Sequence, residues 1–112
     1  MVDYVPSKGD FVWLNFSPQV GHEQRGKRPA IIISPKEYNK KTSLALCAPI
    51  TSNEKGYPFE VLAKGKKISG VILSDHLKSL DWKARKVKFI EKAKTSVIDE
   101  CIQKIATLVL GD

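Results

Sequence analysis

The chain has 112 residues, enough for one domain around one core and too few for separate cofactor and substrate domains. Lysine and arginine outnumber aspartate and glutamate by 19 to 12, a formal charge of +7, which favours a polyanionic partner such as nucleic acid or an acidic protein segment. The two cysteines, Cys47 and Cys101, sit in apolar runs without a Cys-x-x-Cys spacing or a nearby pair of histidines; they support neither a disulfide framework nor a zinc site and read as reduced core residues.

In chain order, the N-terminus opens with an acid and lacks the charged start and apolar stretch of a secretory signal. No run reaches the length of a membrane span, and together these features predict a soluble cytoplasmic protein. After the turn at Gly9-Asp10, residues 11–16 read as a strand. Residues 30–34 are β-branched and read as a strand buried on both faces. A short helical turn over 35–42 precedes strands over 44–50, 58–62 and 70–73, separated by a loop over 51–57 and a basic turn over 64–67. From Lys83 to Lys94 cations dominate, with Trp82, Val87, Phe89 and Ile90 interleaved. That mixture suits single-stranded RNA, although tryptophan and phenylalanine more often fill cores and interfaces.

The last segment changes period. Ile98, Cys101, Ile102, Ile105 and Val109 recur at helical spacing, with Thr95 or Ser96 as N-cap, Asp99 and Glu100 in the first turn and Gly111 just past the end. With no repeat, low-complexity tract or linker, the expectation is one β-rich α+β domain over residues 1–112, closed on one side by a C-terminal helix.

The densest chemistry lies in the loop Gly21-His22-Glu23-Gln24-Arg25-Gly26-Lys27-Arg28-Pro29. Two glycines free its ends, Pro29 sets the exit into the next strand, and ionisable groups and cations project from the middle. This loop, together with the Gly9-Asp10 start, Pro49-Ile50-Thr51, the stretch Gly56-Tyr57-Pro58-Phe59-Glu60 and residues 70–81, resembles the MazF/PemK (Kid) toxins in order and spacing. The likeness runs from about residue 4 to the C-terminus and is nearest the MazF branch, through Tyr38-Asn39, Gly56-Tyr57-Pro58 and the stretch from Trp82 to Arg85.

The resemblance implies a small SH3-like or CcdB-like barrel with short helices that forms a homodimer. It implies cleavage of single-stranded RNA, with messenger RNAs as targets, without metal or other cofactor. A ribose 2′-hydroxyl is the nucleophile, and a 2′,3′-cyclic phosphate and a 5′-hydroxyl are left. It also implies restraint by a cognate acidic antitoxin of the MazE/PemI kind. The family's catalytic arginine and threonine fall on Arg28 and Thr51, its loop histidine on His22 and its loop glutamate on Glu23. RNA contacts are carried to Arg25, Lys27, Asp75, His76, Lys78 and Arg85. His76 stands where many relatives have glutamine, a change that keeps hydrogen-bonding capacity and adds a titratable group.

The residue types suit that chemistry. Attack on phosphorus builds charge on the non-bridging oxygens, for which a guanidinium offers a planar fork and a threonine hydroxyl a further hydrogen bond. Arginine is a poor base, so Arg28 is assigned as stabiliser and candidate acid, with His22 and Glu23 as alternative bases. Two other classes stay open at this point. One is a CcdB-like toxin that poisons gyrase, disfavoured by the loop and by the end Leu110-Gly111-Asp112. The other is an inert SH3-like nucleic-acid-binding module, disfavoured by the joint presence of Arg28 and Thr51.

Overall fold

The computed structural model describes residues 3–15 and 27–111, so His22, Glu23, Arg25 and the predicted strand end at Phe16 lie outside the described residues. The elements are β1 (Asp10–Asn15), β2 (Lys27–Ile32), α1 (Lys36–Thr42), β3 (Leu44–Thr51), β4 (Glu60–Leu62), β5 (Val71–Leu73), a 3-10 turn (Ser74–His76), β6 (Lys78–Asp81), β7 (Lys88–Lys92) and α2 (Thr95–Leu110). The strands pair antiparallel in the order β4-β5-β3-β2-β1-β7, with β6 added to β3. No helix among the described residues is long and apolar enough to cross a membrane.

The two-residue period of the central strands divides the core in two. Phe11, Ile31, Ala48 and Ile50 point toward α2 and pack with Val97, Ile98 and Cys101. Their alternates Val12, Leu14, Ala30, Ile32, Ala45 and Cys47 pack on the other side with Leu80 and Trp82. The part of a strand sandwiched between two such layers must be apolar at every position, which accounts for the unbroken run from Ala30 to Ile32, where β2 ends. Trp82 is therefore a core residue, and its indole N–H donates to the Asn39 carbonyl at 2.9 Å. Asn39 is itself fully buried; its amide nitrogen donates to the carbonyls of Pro6 (2.9 Å) and Ser34 (3.0 Å).

Three expectations are corrected. The sheet is an open path rather than a closed barrel: β4 and β7 end it, and no ladder joins them among the described residues. A side chain spans the gap instead. The Glu91 carboxylate on β7 accepts the backbone N–H groups of Lys66 (3.2 Å), Lys67 (2.6 Å) and Ile68 (3.0 Å), in the turn that follows β4. The N-cap of α2 is Lys94, in extended conformation and with no side-chain cap, so Thr95 and Ser96 are already helical and Asp99-Glu100 fall beyond the first turn. Finally, Val109 does not join the core stripe; the last turn of α2 leaves Leu108, Val109 and Leu110 exposed.

Candidate active site

The site forms where β2 and β3 part. Their ladder runs from Ile32↔Cys47 to Ala30↔Pro49 and stops, and the next β2 residue, Pro29, has no N–H to donate. Beyond that rung Arg28 pairs only toward β1, opposite Leu14, while Thr51 pairs only toward β5, opposite Val71. Extending the register past Ala30↔Pro49 sets Arg28 opposite Thr51, with like parity, so both leave their strands on the same face. The splayed strands enclose a cleft of about 360 Å³ lined by Trp13, Arg28, Pro29, Ile50, Thr51, Ser52, Lys67, Ile68 and Ser69. The structure thus sets on one cleft the two residues to which the family resemblance carries catalysis.

Thr51 is held from two sides. Its hydroxyl oxygen accepts the Asn53 N–H at 3.1 Å, a turn contact that occupies a lone pair and leaves the O–H free to donate. Its carbonyl lies against Gly70, whose φ is +111°; a Cβ there would sit 2.5 Å from the Thr51 oxygen. Only glycine fits both the backbone and the space. Arg28 is exposed and forms no ion pair with a described carboxylate, so its fork of donors is open to a ligand.

Thr51 also lines a second cleft, of about 280 Å³, with Asn53, Lys55, Tyr57, Glu60, Leu73 and His76. Glu60 accepts the N–H groups of Lys55 (2.9 Å) and Gly56 (2.8 Å) and so braces the loop after Thr51. Tyr57 donates its hydroxyl to Asp75 at 3.2 Å. Partial burial, and then donation to Asp75, raise the Tyr57 phenol above its ordinary value, so it stays a donor. His76 Nε2 stands 4.0 Å from the Asp75 carboxylate and is half exposed at the cleft. His76 therefore lines the same cleft as Thr51, and Asp75 is linked to it through the Tyr57 hydroxyl.

The other predicted contacts do not line the cleft of Arg28 and Thr51. Lys27 is exposed and lines an adjoining cleft of about 310 Å³ with Trp13, Lys67, Lys88, Phe89 and Ile90. Lys78 starts β6, opposite Cys47, and Arg85 donates to the Asn15 carbonyl at 2.9 Å; neither lines these three clefts. Sequence reasoning missed Lys67, which it assigned only to a basic turn, and Gly70, read only as a strand start. The local signal for Lys67 was its charge; its place beside Arg28 comes from the fold.

A family model described as PemK-like, MazF-like toxin of type II toxin-antitoxin system matches residues 7–109. The protein named endoribonuclease toxin MazF from Escherichia coli strain K12 is 51% identical over 82 residues, covering 73% of this chain and 74% of that one. The Escherichia coli protein named endoribonuclease PemK is 30% identical over 104 residues, covering 88% of this chain and 78% of the relative. Among solved structures, MazF from Deinococcus radiodurans superposes with a TM-score of 0.86 at 48% identity, over 96% of this chain and 98% of that one. A MazE-MazF structure from the same organism gives a TM-score of 0.86 at 41% identity, over 98% of this chain and 100% of the other. With a match spanning nearly its whole length, this chain belongs to the PemK-like, MazF-like family of toxins of type II toxin-antitoxin systems.

Proposed function

We propose that this chain is a sequence-specific endoribonuclease, one domain over residues 1–112, that cuts single-stranded RNA in the cytoplasm without a metal ion. The relatives' names support the activity, and the observation that carries the site is the shared cleft of Arg28 and Thr51. In the proposed step the ribose 2′-oxygen attacks the adjacent phosphorus, its proton passing to a base on the loop, His22 or Glu23. The phosphorus–5′-oxygen bond breaks, leaving a 2′,3′-cyclic phosphate, and the departing 5′-oxygen takes up a proton. Arg28 stabilises the charge that grows on the non-bridging oxygens, and the free Thr51 O–H adds a second donor. Tyr57, Asp75 and His76 then offer a base edge both donors and acceptors beside the cut.

Sequencing the 5′ ends of fragments formed by the purified protein, with and without EDTA, tests the reading. Cuts at a common sequence, bearing 5′-hydroxyls and insensitive to EDTA, are expected. Cleavage of an oligonucleotide with 2′-deoxy at the cut site would overturn the mechanism.

The assembly belongs to the same proposal. The MazE-MazF structures support an antitoxin partner, and the charge of +7 suits an acidic segment of it. Leu62 on the end strand β4 (51% exposed) and Leu108 and Leu110 on α2 (51% and 82%) offer apolar surface for a second copy in a two-fold dimer. Sedimentation at micromolar concentration should give twice the chain mass; a fully active monomer would refute a dimer-spanning substrate path.

A further inference from the structure

The cleft of Arg28 and Thr51 does not end at those residues. Trp13 and Lys67 form walls of both this cleft and the adjoining one, which carries Lys27, Lys88 and the exposed ring of Phe89. Trp13 links them through the sheet, since it pairs with Pro29 on one side and Lys88 on the other. A groove therefore leads from the proposed reaction site past three lysines. We infer that Lys67, with Lys27 and Lys88, is a phosphate subsite for the RNA strand adjoining the cut, and that Glu91 positions it. This rests on the ribonuclease reading and specifies how the substrate backbone reaches the Arg28 site.

The positioning argument is geometric. Three successive backbone N–H groups, those of Lys66, Lys67 and Ile68, converge on the Glu91 carboxylate, at 2.6 Å for Lys67. Such a nest of N–H groups binds an anion, and here the anion is supplied from within the chain. Gly65 makes the arrangement possible, because a Cβ there would stand 2.5 Å from Glu91 Oε2. The carboxylate satisfies the turn's backbone, and the Lys67 ammonium forms no ion pair with any described carboxylate. Its charge is thus available at the cleft wall, on a turn tied to β7. A compact ammonium in an open cleft suits a phosphate as a point charge, and alignment with Arg28 favours a continuous phosphate backbone over an isolated anion.

The test uses a mixed-sequence, fully 2′-O-methylated RNA oligonucleotide, which the proposed chemistry cannot cut, and measures its affinity by fluorescence anisotropy over a range of salt. Lys67→Met should weaken binding and lower the slope of log affinity against log salt by about 0.7, the loss of one phosphate contact on a single strand. Lys41→Met, on the exposed surface of α1, should change neither. Glu91→Gln should weaken binding on its own yet add nothing in the double variant with Lys67→Met, because it acts through that side chain; additive losses would reduce Glu91 to a structural role and overturn the positioning. A wild-type protein that cuts RNA, paired with a Lys67→Met variant of unchanged affinity and slope, would overturn the subsite alone. That holds even if the variant resists inhibition by an acidic peptide, which would make the turn an antitoxin contact. Failure of the wild type to bind or cut RNA would overturn the ribonuclease reading and the subsite with it.

Discussion

Arg28 on β2 and Thr51 on β3 stand at opposing register positions just past the last rung that joins their strands, and both line the cleft opened there. Each is held by a different neighbour: β1 carries Arg28 and β5 carries Thr51. The two halves of the site thus rest on rigid strands while the gap between them stays open to a ligand. That division of labour makes the catalytic and binding contributions separable.

Arg28→Ala should lower kcat by about 100-fold or more, on the scale of a lost transition-state donor, with a smaller change in KM. Arg28→Lys should recover binding without recovering rate, since it keeps the charge and loses the planar fork. Thr51→Ala should lower kcat by less. Steady-state kinetics on a defined oligonucleotide, with circular dichroism melts to confirm folding, check the set; a folded Arg28→Ala protein with wild-type kcat would remove Arg28 from the chemistry.

Gly70→Ala tests the support behind Thr51. With φ at +111° and a Cβ aimed 2.5 Å from the Thr51 carbonyl oxygen, the methyl must push the strand end or strain the backbone. A loss of about 1–3 kcal/mol in urea unfolding is expected, together with a fall in kcat. Full activity and stability in this variant would show that Thr51 tolerates displacement.

Partial burial opposes ionisation of Glu91, but three backbone N–H donors and the Lys67 ammonium prevail and hold its carboxyl below the ordinary 4.5. A depressed pKa means stability present above the unfolded value and lost as pH falls through the folded one. The amide resonances of Lys66, Lys67 and Ile68 should therefore titrate together in NMR spectra, with a midpoint below 4.5. Glu91→Gln should abolish that shared titration; independent midpoints would mean the clasp is not formed.

Burial pushes the thiols of Cys47 and Cys101 up to about 12 each. For Cys47 the nearby Arg85 and Lys78 charges offset this only in part. Few thiolates then exist near neutrality, and access is closed as well. A disulfide reagent at about pH 8 should label neither cysteine in the native protein and both in denaturant. Rapid native labelling would place a thiol at the surface.

Local pattern was enough for the features whose cause is local. Residues 30–34 read as a doubly buried strand because they are β-branched and apolar up to Ser34, and Ile98, Cys101 and Ile105 read as a helix face because 3.6-residue spacing is visible within a few turns. β6 and β7 escaped that reading. Lys78, Ser79, Lys88 and Phe89 are exposed, so these strands show no clean alternation, and what makes them strands is backbone pairing to β3 and β1. The open sheet was likewise out of reach, since it depends on whether β4 meets β7, and Glu91 replaces that ladder with side-chain hydrogen bonds. The candidate site divides the same way. Arg28 and Thr51 were legible in the sequence through the motifs that resemble the MazF/PemK toxins, and their residue types suit phosphate chemistry, which a planar cation and a hydroxyl serve. Only the tertiary structure set Lys67 on the same cleft and Gly70 behind Thr51, because strand register and the divergence of β2 from β3 couple residues far apart in the chain, and no local interaction encodes that distance.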